Sequence, residues 1–286
     1  MRHRGSKPLP IASAFHPVPI LPPAGRAAIR GSVSWKRTAC LLALMMVLGG
    51  CGRKAAIAYP EIQVREPDLS RGGEIFGEVL FAGKPPRRRR IDMTSDGICS
   101  QSGLGRPTLD ESVVVTDGKV RDVLVHVKEG LGEYVFAHEK SEAVLDQHGC
   151  VYVPHVLALR VHQPLLVKNS DPTAHNVNTS DSRRGQGFNT SLPGRGATFR
   201  WQFREPELSL PMHCNIHPWM KGYIHVLDHP YFAVTGEDGR WRFPRKLPPG
   251  RYLLEALHPR LGTRRREVTV VEGGDLRVDF TFAKRP

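Results

Sequence analysis

Apolar and polar residues alternate in short runs along most of this chain, and no stretch sustains the three-to-four spacing of a long amphipathic helix. From Gly72 onward the runs are strand-sized and punctuated by turn residues. "EIFGEVLFAG" ends at Gly83-Lys84-Pro85-Pro86, and "SVVVTDGKVRDVLVHVKEG" divides at Thr116-Asp117-Gly118, a hairpin signal. "GCVYVPHVLALRV" and "QPLLVKNSD" follow, then "ATFRWQF", "ELSLPMHC" and "GYIHVLD". This pattern predicts an all-β sandwich with irregular insertions.

The pattern changes at Asp228-His229-Pro230. Residues 230–286 hold at least four further strand-like runs, an expected hairpin turn at Glu237-Asp238-Gly239 and a Pro-Pro-Gly turn. They read as a second, small β-domain without a titratable cluster. The expected layout is a leader over 1–50, a polar tether over 51–70, a first β-domain over 71–229 and the small domain over 230–286. The abundance of turn formers, 24 Pro and 28 Gly in 286 residues, agrees with β-structure.

The formal charge of +13 raises the question of nucleic-acid binding. Residues 1–50 contain seven Lys or Arg and no Asp or Glu, so the remainder carries only +6, and no nucleic-acid motif accompanies it. Much of the excess belongs to the leader. There, Lys36-Arg37 precede "TACLLALMMVLGG" and Cys51, an apolar run too short for a comfortable membrane span and laid out as an export signal. The Pro/Arg-rich preface is long for such a signal and points to a start downstream, near Val33.

"LGGC", Leu48 to Cys51, resembles the lipobox of bacterial lipoproteins. That resemblance implies lipidation of Cys51, a membrane attachment and a periplasmic or cell-surface location; a plain secretory signal is the alternative. With Cys40 inside the signal, Cys99 and Cys150 remain besides Cys214. In an oxidising compartment they are expected to pair, closing a loop worth about 4 kcal/mol in chain entropy. Buried free thiols or ligands of a second metal are the other readings.

The stretch "SLPMHCNIHPWMKGYIHV" (209–226) contains C-x2-H-x2-M: Cys214, His217 and Met220. A thiolate, an imidazole and a thioether at this spacing form a chelating loop. Two His and one Cys in a plane with a long axial Met is the blue-copper donor set, so a second His must arrive from elsewhere. His175 in "VKNSDPTAHNVNTS", after a strand-like run, is the best candidate.

These segments resemble the cupredoxin superfamily, and within it the amicyanin/pseudoazurin group with its short ligand loop. The matching residues are Asn169, Ser170, Asp171, His175 and Asn176, then Cys214, His217 and Met220, over about residues 156–228. The resemblance implies a Greek-key β-sandwich holding one copper ion through His175, Cys214 and His217 with Met220 axial. More broadly the chain resembles methylamine-utilisation and plastocyanin-like bacterial lipoproteins. Residues 230–286 resemble the carboxypeptidase-regulatory, transthyretin-like sandwich. A binuclear copper site needs two Cys in the loop, and only Cys214 is there.

Asn176 is the expected partner of the Cys loop. Pro218 and Trp219 flank His217, whose imidazole edge is expected to emerge in an apolar patch where a redox partner docks, with Lys221 steering an acidic partner. His213, directly before Cys214, is either a support of the site or a side chain of the opposite sheet face. The remaining histidines, His155 included, are expected in surface or hydrogen-bonded roles, and Arg87–Arg90 and Arg264–Arg266 in solvated loops. No hydrolytic triad, phosphate loop or carboxylate pair stands out. The expected function is that of an electron carrier between a redox donor and acceptor rather than an enzyme. The alternative is a surface module that handles copper or binds a partner or glycan.

Overall fold

Nineteen strands and a single 3-10 turn, Cys99–Gln101, make up the regular structure of this computed structural model, which describes residues 59–101 and 107–284. The leader, its signal and Cys51 lie outside the described residues. Among those residues no helix is long and apolar enough to cross a membrane.

Two hydrophobic cores divide the strands. One lies between a five-stranded sheet, in the order Asn189–Leu192, His175–Asn178, Glu207–His213, Lys221–Leu227, Val156–Arg160, and a four-stranded sheet containing Thr198–Trp201, Leu165–Asn169, Ala143–His148 and Val151–Val153. Leu145, Leu165 and Val167 from one sheet and Leu159, Val177, Leu210, Ile224 and Val226 from the other fill it. Strict alternation explains this: Leu165–Asn169 buries every second side chain.

The other core draws on strands from both ends of the described residues. Ile75–Ala82 pairs antiparallel with Arg240–Arg242 and runs parallel to Leu276–Arg277 and Phe280–Ala283. Leu124–Glu129 lies between Phe232–Val234 and Gly250–His258. Ile75, Val79, Val125 and Val127 therefore share one core with Tyr231, Trp241, Leu254 and Phe280.

The expected boundary at 229/230 is not where the strands part. Residues 230–286 do not form a sandwich of their own, because Gly250–His258 is buried along most of its length and takes Leu124–Glu129 as its second neighbour. The site-bearing sandwich, 143–227, is thus inserted within a β-body made of 75–136 and 231–283. Gly77 permits the closure: a Cβ there would sit 1.8 Å from the carbonyl oxygen of Val278.

Turn chemistry is partly as expected. Asp117 and Gly118 both have positive φ and join Val115–Thr116 to Lys119–Val120 as a tight hairpin. Glu237-Asp238-Gly239 instead carries the chain between sheets, since Phe232–Val234 pairs with Leu124–Glu129 and Arg240–Arg242 with Ile75–Ala82. Arg264–Arg266 are exposed, on the edge strand Gly262–Val270 rather than in a loop. Arg265 sits opposite Glu255 and bonds to it at 2.7 Å; such a charged edge discourages pairing with other chains.

Four of the histidines read as ordinary are buried: His126, His225, His229 and His258. Backbone N–H groups donate to Nδ1 of three of them: Ser209 to His225 at 3.1 Å, Tyr231 to His229 at 3.2 Å, Arg260 and Leu261 to His258 at 3.1 and 3.2 Å. Such rings are neutral. Burial lowers His225 to about 3 and His258 to about 4, and lowers His229 as well. Glu255 accepts from His126 and Arg265, which lower it to about 2 although burial opposes them.

The signs agree. Above pH 6.5 the three histidines are neutral folded or unfolded and contribute nothing; below it only the unfolded chain protonates them, so stability falls. The Glu255 contribution is complete above 4.5 and is lost as pH falls toward 2. Each histidine costs about 1.4 kcal/mol per pH unit in this window. Urea unfolding of the metal-free protein at pH 7 and pH 5.5 is expected to show a loss of several kcal/mol and an uptake of two to three protons on unfolding. Equal stability at the two pH values contradicts it.

Candidate metal centre

The loop between Glu207–His213 and Lys221–Leu227 is closed by its own backbone. His213 pairs with Lys221, and the Cys214 N–H donates to the Met220 carbonyl at 3.1 Å. Inside it the Met220 N–H reaches the His217 carbonyl at 3.0 Å, a β-turn with Pro218 in the position where its fixed φ suits the turn. The sequence His-Pro-Trp-Met thereby turns His217 back over Cys214. Met220 is fully buried in the same core as Cys214.

His175 opens the strand His175–Asn178, and Asn169 pins the turn before it. Its amide donates to the carbonyls of Thr173 and Leu192 at 2.8 and 3.1 Å, while its oxygen accepts the Asp171 N–H at 2.9 Å. Asp171 then faces His175 Nε2 at 2.9 Å and accepts the N–H groups of Gly149 and Cys150, each at 2.8 Å. With Nε2–H committed to a carboxylate, the nitrogen of His175 left to carry the lone pair when the ring is neutral is Nδ1.

That Nδ1 lies 2.9 Å from Nδ1 of His217, and Cys214 Sγ is 3.9 Å from the latter. The ligand atoms of His175, Cys214 and His217 all fall within 4.8 Å of one another, and the three residues are buried. Two more N–H groups, of Asn176 and His217, approach the sulfur at 3.4 Å each. Asn176 also accepts the Asn215 N–H at 3.2 Å and donates to Thr190 at 2.8 Å, tying the loop to the neighbouring strand.

Burial alone would raise the Cys214 thiol. Hydrogen bonds from His175 and from the N–H groups of His217, Ile216 and Asn176 more than offset that and hold it below the usual thiol range. Burial works to lower His175, yet Asp171 and Cys214 push it up to about 9. Asp171 is held low by His175 and the Cys150 and Gly149 N–H groups, against the desolvation that would raise it. One thiolate and two imidazoles form a soft, nitrogen-and-sulfur donor set that suits copper, and Met220 is buried in the same core.

Other expected residues fall as follows. Cys99 and Cys150 form a disulfide, with Cα atoms 5.6 Å apart. Pro218 and Lys221 are exposed, whereas Trp219 is half-buried with its indole N–H on the Cys150 carbonyl at 3.1 Å. His213 is half-buried in its strand. The imidazole of His217 does not emerge: the residue is 2% exposed, because the segment carrying Asp96 and Cys99 lies over its outer edge. Ile216, 49% exposed, takes the surface position instead. Asp96, 3.3 Å from His217 Nε2, was not among the expected site residues. Its "SDG" context reads as a turn, and nothing in the spacing links it to a loop 121 positions away.

No family model and no curated protein matches the chain. Among solved structures, it is similar to a copper-containing nitrite reductase from Thermus scotoductus SA-01 (25% identity over 35% of this chain and 26% of that one, TM-score 0.30). It is also similar to a purple cupredoxin from Nitrosopumilus maritimus (25% identity, 29% and 98%, TM-score 0.25) and to a copper(I) amicyanin variant (22% identity, 30% and 81%, TM-score 0.25). The chain spans about a quarter of the length of the nitrite reductase.

Asp171 carries the clearest structural prediction of this site. Asp171→Ala leaves two backbone N–H groups and the His175 Nε2–H without their acceptor. Stability is expected to drop by about 2–4 kcal/mol, and copper affinity by about 10–100-fold. Urea unfolding and a competitive copper titration read the two effects separately; an unchanged affinity contradicts the assigned role.

Proposed function

We propose that this chain is an exported, lipid-anchored copper protein of the cupredoxin type that carries single electrons between redox partners. The observation that carries the proposal is the convergence of His175 Nδ1, His217 Nδ1 and Cys214 Sγ within 4.8 Å in a buried pocket. Met220, at the end of the same loop, completes the donor set. Bound copper supplies a one-electron Cu(II)/Cu(I) couple, in which no bond of another molecule is made or broken.

The chain's residues do the rest. Cys214, its sulfur already facing two N–H groups, provides a thiolate without rearrangement. Asp171 fixes the tautomer of His175, and the turn through Pro218 fixes His217 over Cys214. Burial of all three ligands keeps water from the ion. A loop closed by backbone hydrogen bonds and clamped between two strands changes little when the charge at its centre changes by one, which is what rapid exchange requires. Attachment through Cys51 would hold the protein at a membrane surface near its partners.

A second reading has an observation behind it as well. His217 is covered, so the edge by which electrons would reach a docked partner is closed. In that reading the site stores or delivers copper. Reversible voltammetry at the loaded protein favours the carrier; prompt transfer of copper to an apo-acceptor, with sluggish electron exchange, favours storage.

One equivalent of Cu(II) is expected to give an intense thiolate-to-copper band in the visible region. Cys214→Ser should abolish it while the fold, read by circular dichroism, remains. Met220→Gln should keep the band and lower the reduction potential, since a harder axial oxygen favours Cu(II). A band unchanged in Cys214→Ser would contradict the ligand assignment.

A further inference from the structure

Both imidazoles of the site, not one, end on a carboxylate. His175 Nε2 meets Asp171 at 2.9 Å, and His217 Nε2 meets Asp96 Oδ2 at 3.3 Å. The two carboxylates come from distant parts of the chain, yet a disulfide and a hydrogen bond connect them. Asp96 Oδ1 accepts the N–H groups of Ile98 and Cys99 at 2.9 and 2.8 Å, and so caps the short turn that carries Cys99. Cys99 is bonded to Cys150, whose own N–H donates to Asp171 at 2.8 Å.

The disulfide also packs on the site. Cys99 Sγ is 3.8 Å from His217 Nε2, Cys99 and Cys150 are buried with Met93, and Trp219 rests against this group with its ring 5.0 Å from that of His217. Residues 93–99 therefore form a strap across the outer edge of a ligand imidazole. That edge would otherwise face solvent.

We propose, building on the copper reading above, that Asp96 is a positioning residue for His217. Held in place by the Cys99–Cys150 disulfide, it directs Nδ1 toward the metal and closes the outer edge of the imidazole to water and partners. A carboxylate on the far nitrogen fixes the tautomer and makes the ring a stronger donor, which favours the more highly charged metal state. Electrons then leave by the surface around Ile216 and Pro218 or through the strap, not by direct contact with His217.

The test needs a readout that does not depend on copper. Imidazole nitrogen–proton correlation spectra of the full chain report the tautomer of His217, and labelling with diethyl pyrocarbonate reports access to its edge. Wild type is expected to show a slowly exchanging Nε2–H on His217 and to label at least tenfold more slowly there than at the exposed His148. Asp96→Ala should lose that resonance, Asp96→Glu should retain it in part, and the paired Cys99→Ser and Cys150→Ser variant should label at His217 at least tenfold faster than wild type. In the copper-loaded chain, Asp96→Asn should raise the reduction potential; a tenfold change in the relative affinity for the two copper states is about 59 mV.

A His217 that labels as fast as His148, or an Asp96→Asn variant with unchanged tautomer and potential, overturns the proposal. A protected Nε2–H in a wild-type chain that binds copper without a thiolate band supports the role of Asp96 in holding His217 and removes the copper reading instead.

Discussion

Two imidazole nitrogens 2.9 Å apart, with a cysteine sulfur beside them, are buried against a core filled mainly by Leu, Val, Ile and Phe. Such a group is costly in an apolar interior unless its outer atoms are satisfied. Much of the surrounding structure does that. Asp171 takes one ring and Asp96 the other, while backbone N–H groups of Asn176 and His217 approach the sulfur. What is left facing inward is three lone-pair donors. That arrangement is stable with a cation or a shared proton at its centre, and it explains why the loop, the turn before His175 and the strap over His217 are each so closely tied.

The constraint extends into the architecture. Asp96 belongs to the outer β-body and His217 to the inserted sandwich, so their contact and the Cys99–Cys150 bond join the two around the site. The body is itself completed only when strand 75–82 meets strands 276–283 from the far end of the chain. The strap is held to the sandwich by the disulfide and by the contact of Asp96 with His217.

How much of this was legible in the sequence follows from how local each signal is. Cys214, His217 and Met220 lie in one loop, and the turn that aligns them is written in His-Pro-Trp-Met. His175 follows a strand-like run with turn residues between, so its place at a strand end was readable too. The all-β class follows from alternation and turn residues. The layout did not, because pairing between residues more than 120 positions apart leaves no local trace: strand 250–258 looks like a member of a C-terminal unit until Leu124–Glu129 is found at its side. Asp96 was hidden for the same reason, and with it the burial of His217. An imidazole flanked by Pro and Trp reads as exposed when the segment that covers it is more than a hundred residues away. The hydrogen-bonded roles expected of the four buried histidines hold, but their burial was not readable, because a lone His on a strand carries no sign of which face it occupies.

The direct test of the central claim is X-ray absorption at the copper edge of the loaded protein. One short copper–sulfur shell together with two imidazole nitrogens, lost to nitrogen and oxygen scatterers alone in Cys214→Ser, is the result expected if His175, Cys214 and His217 hold the ion. A wild-type spectrum with only nitrogen and oxygen neighbours would contradict it, and would place any bound copper away from this pocket.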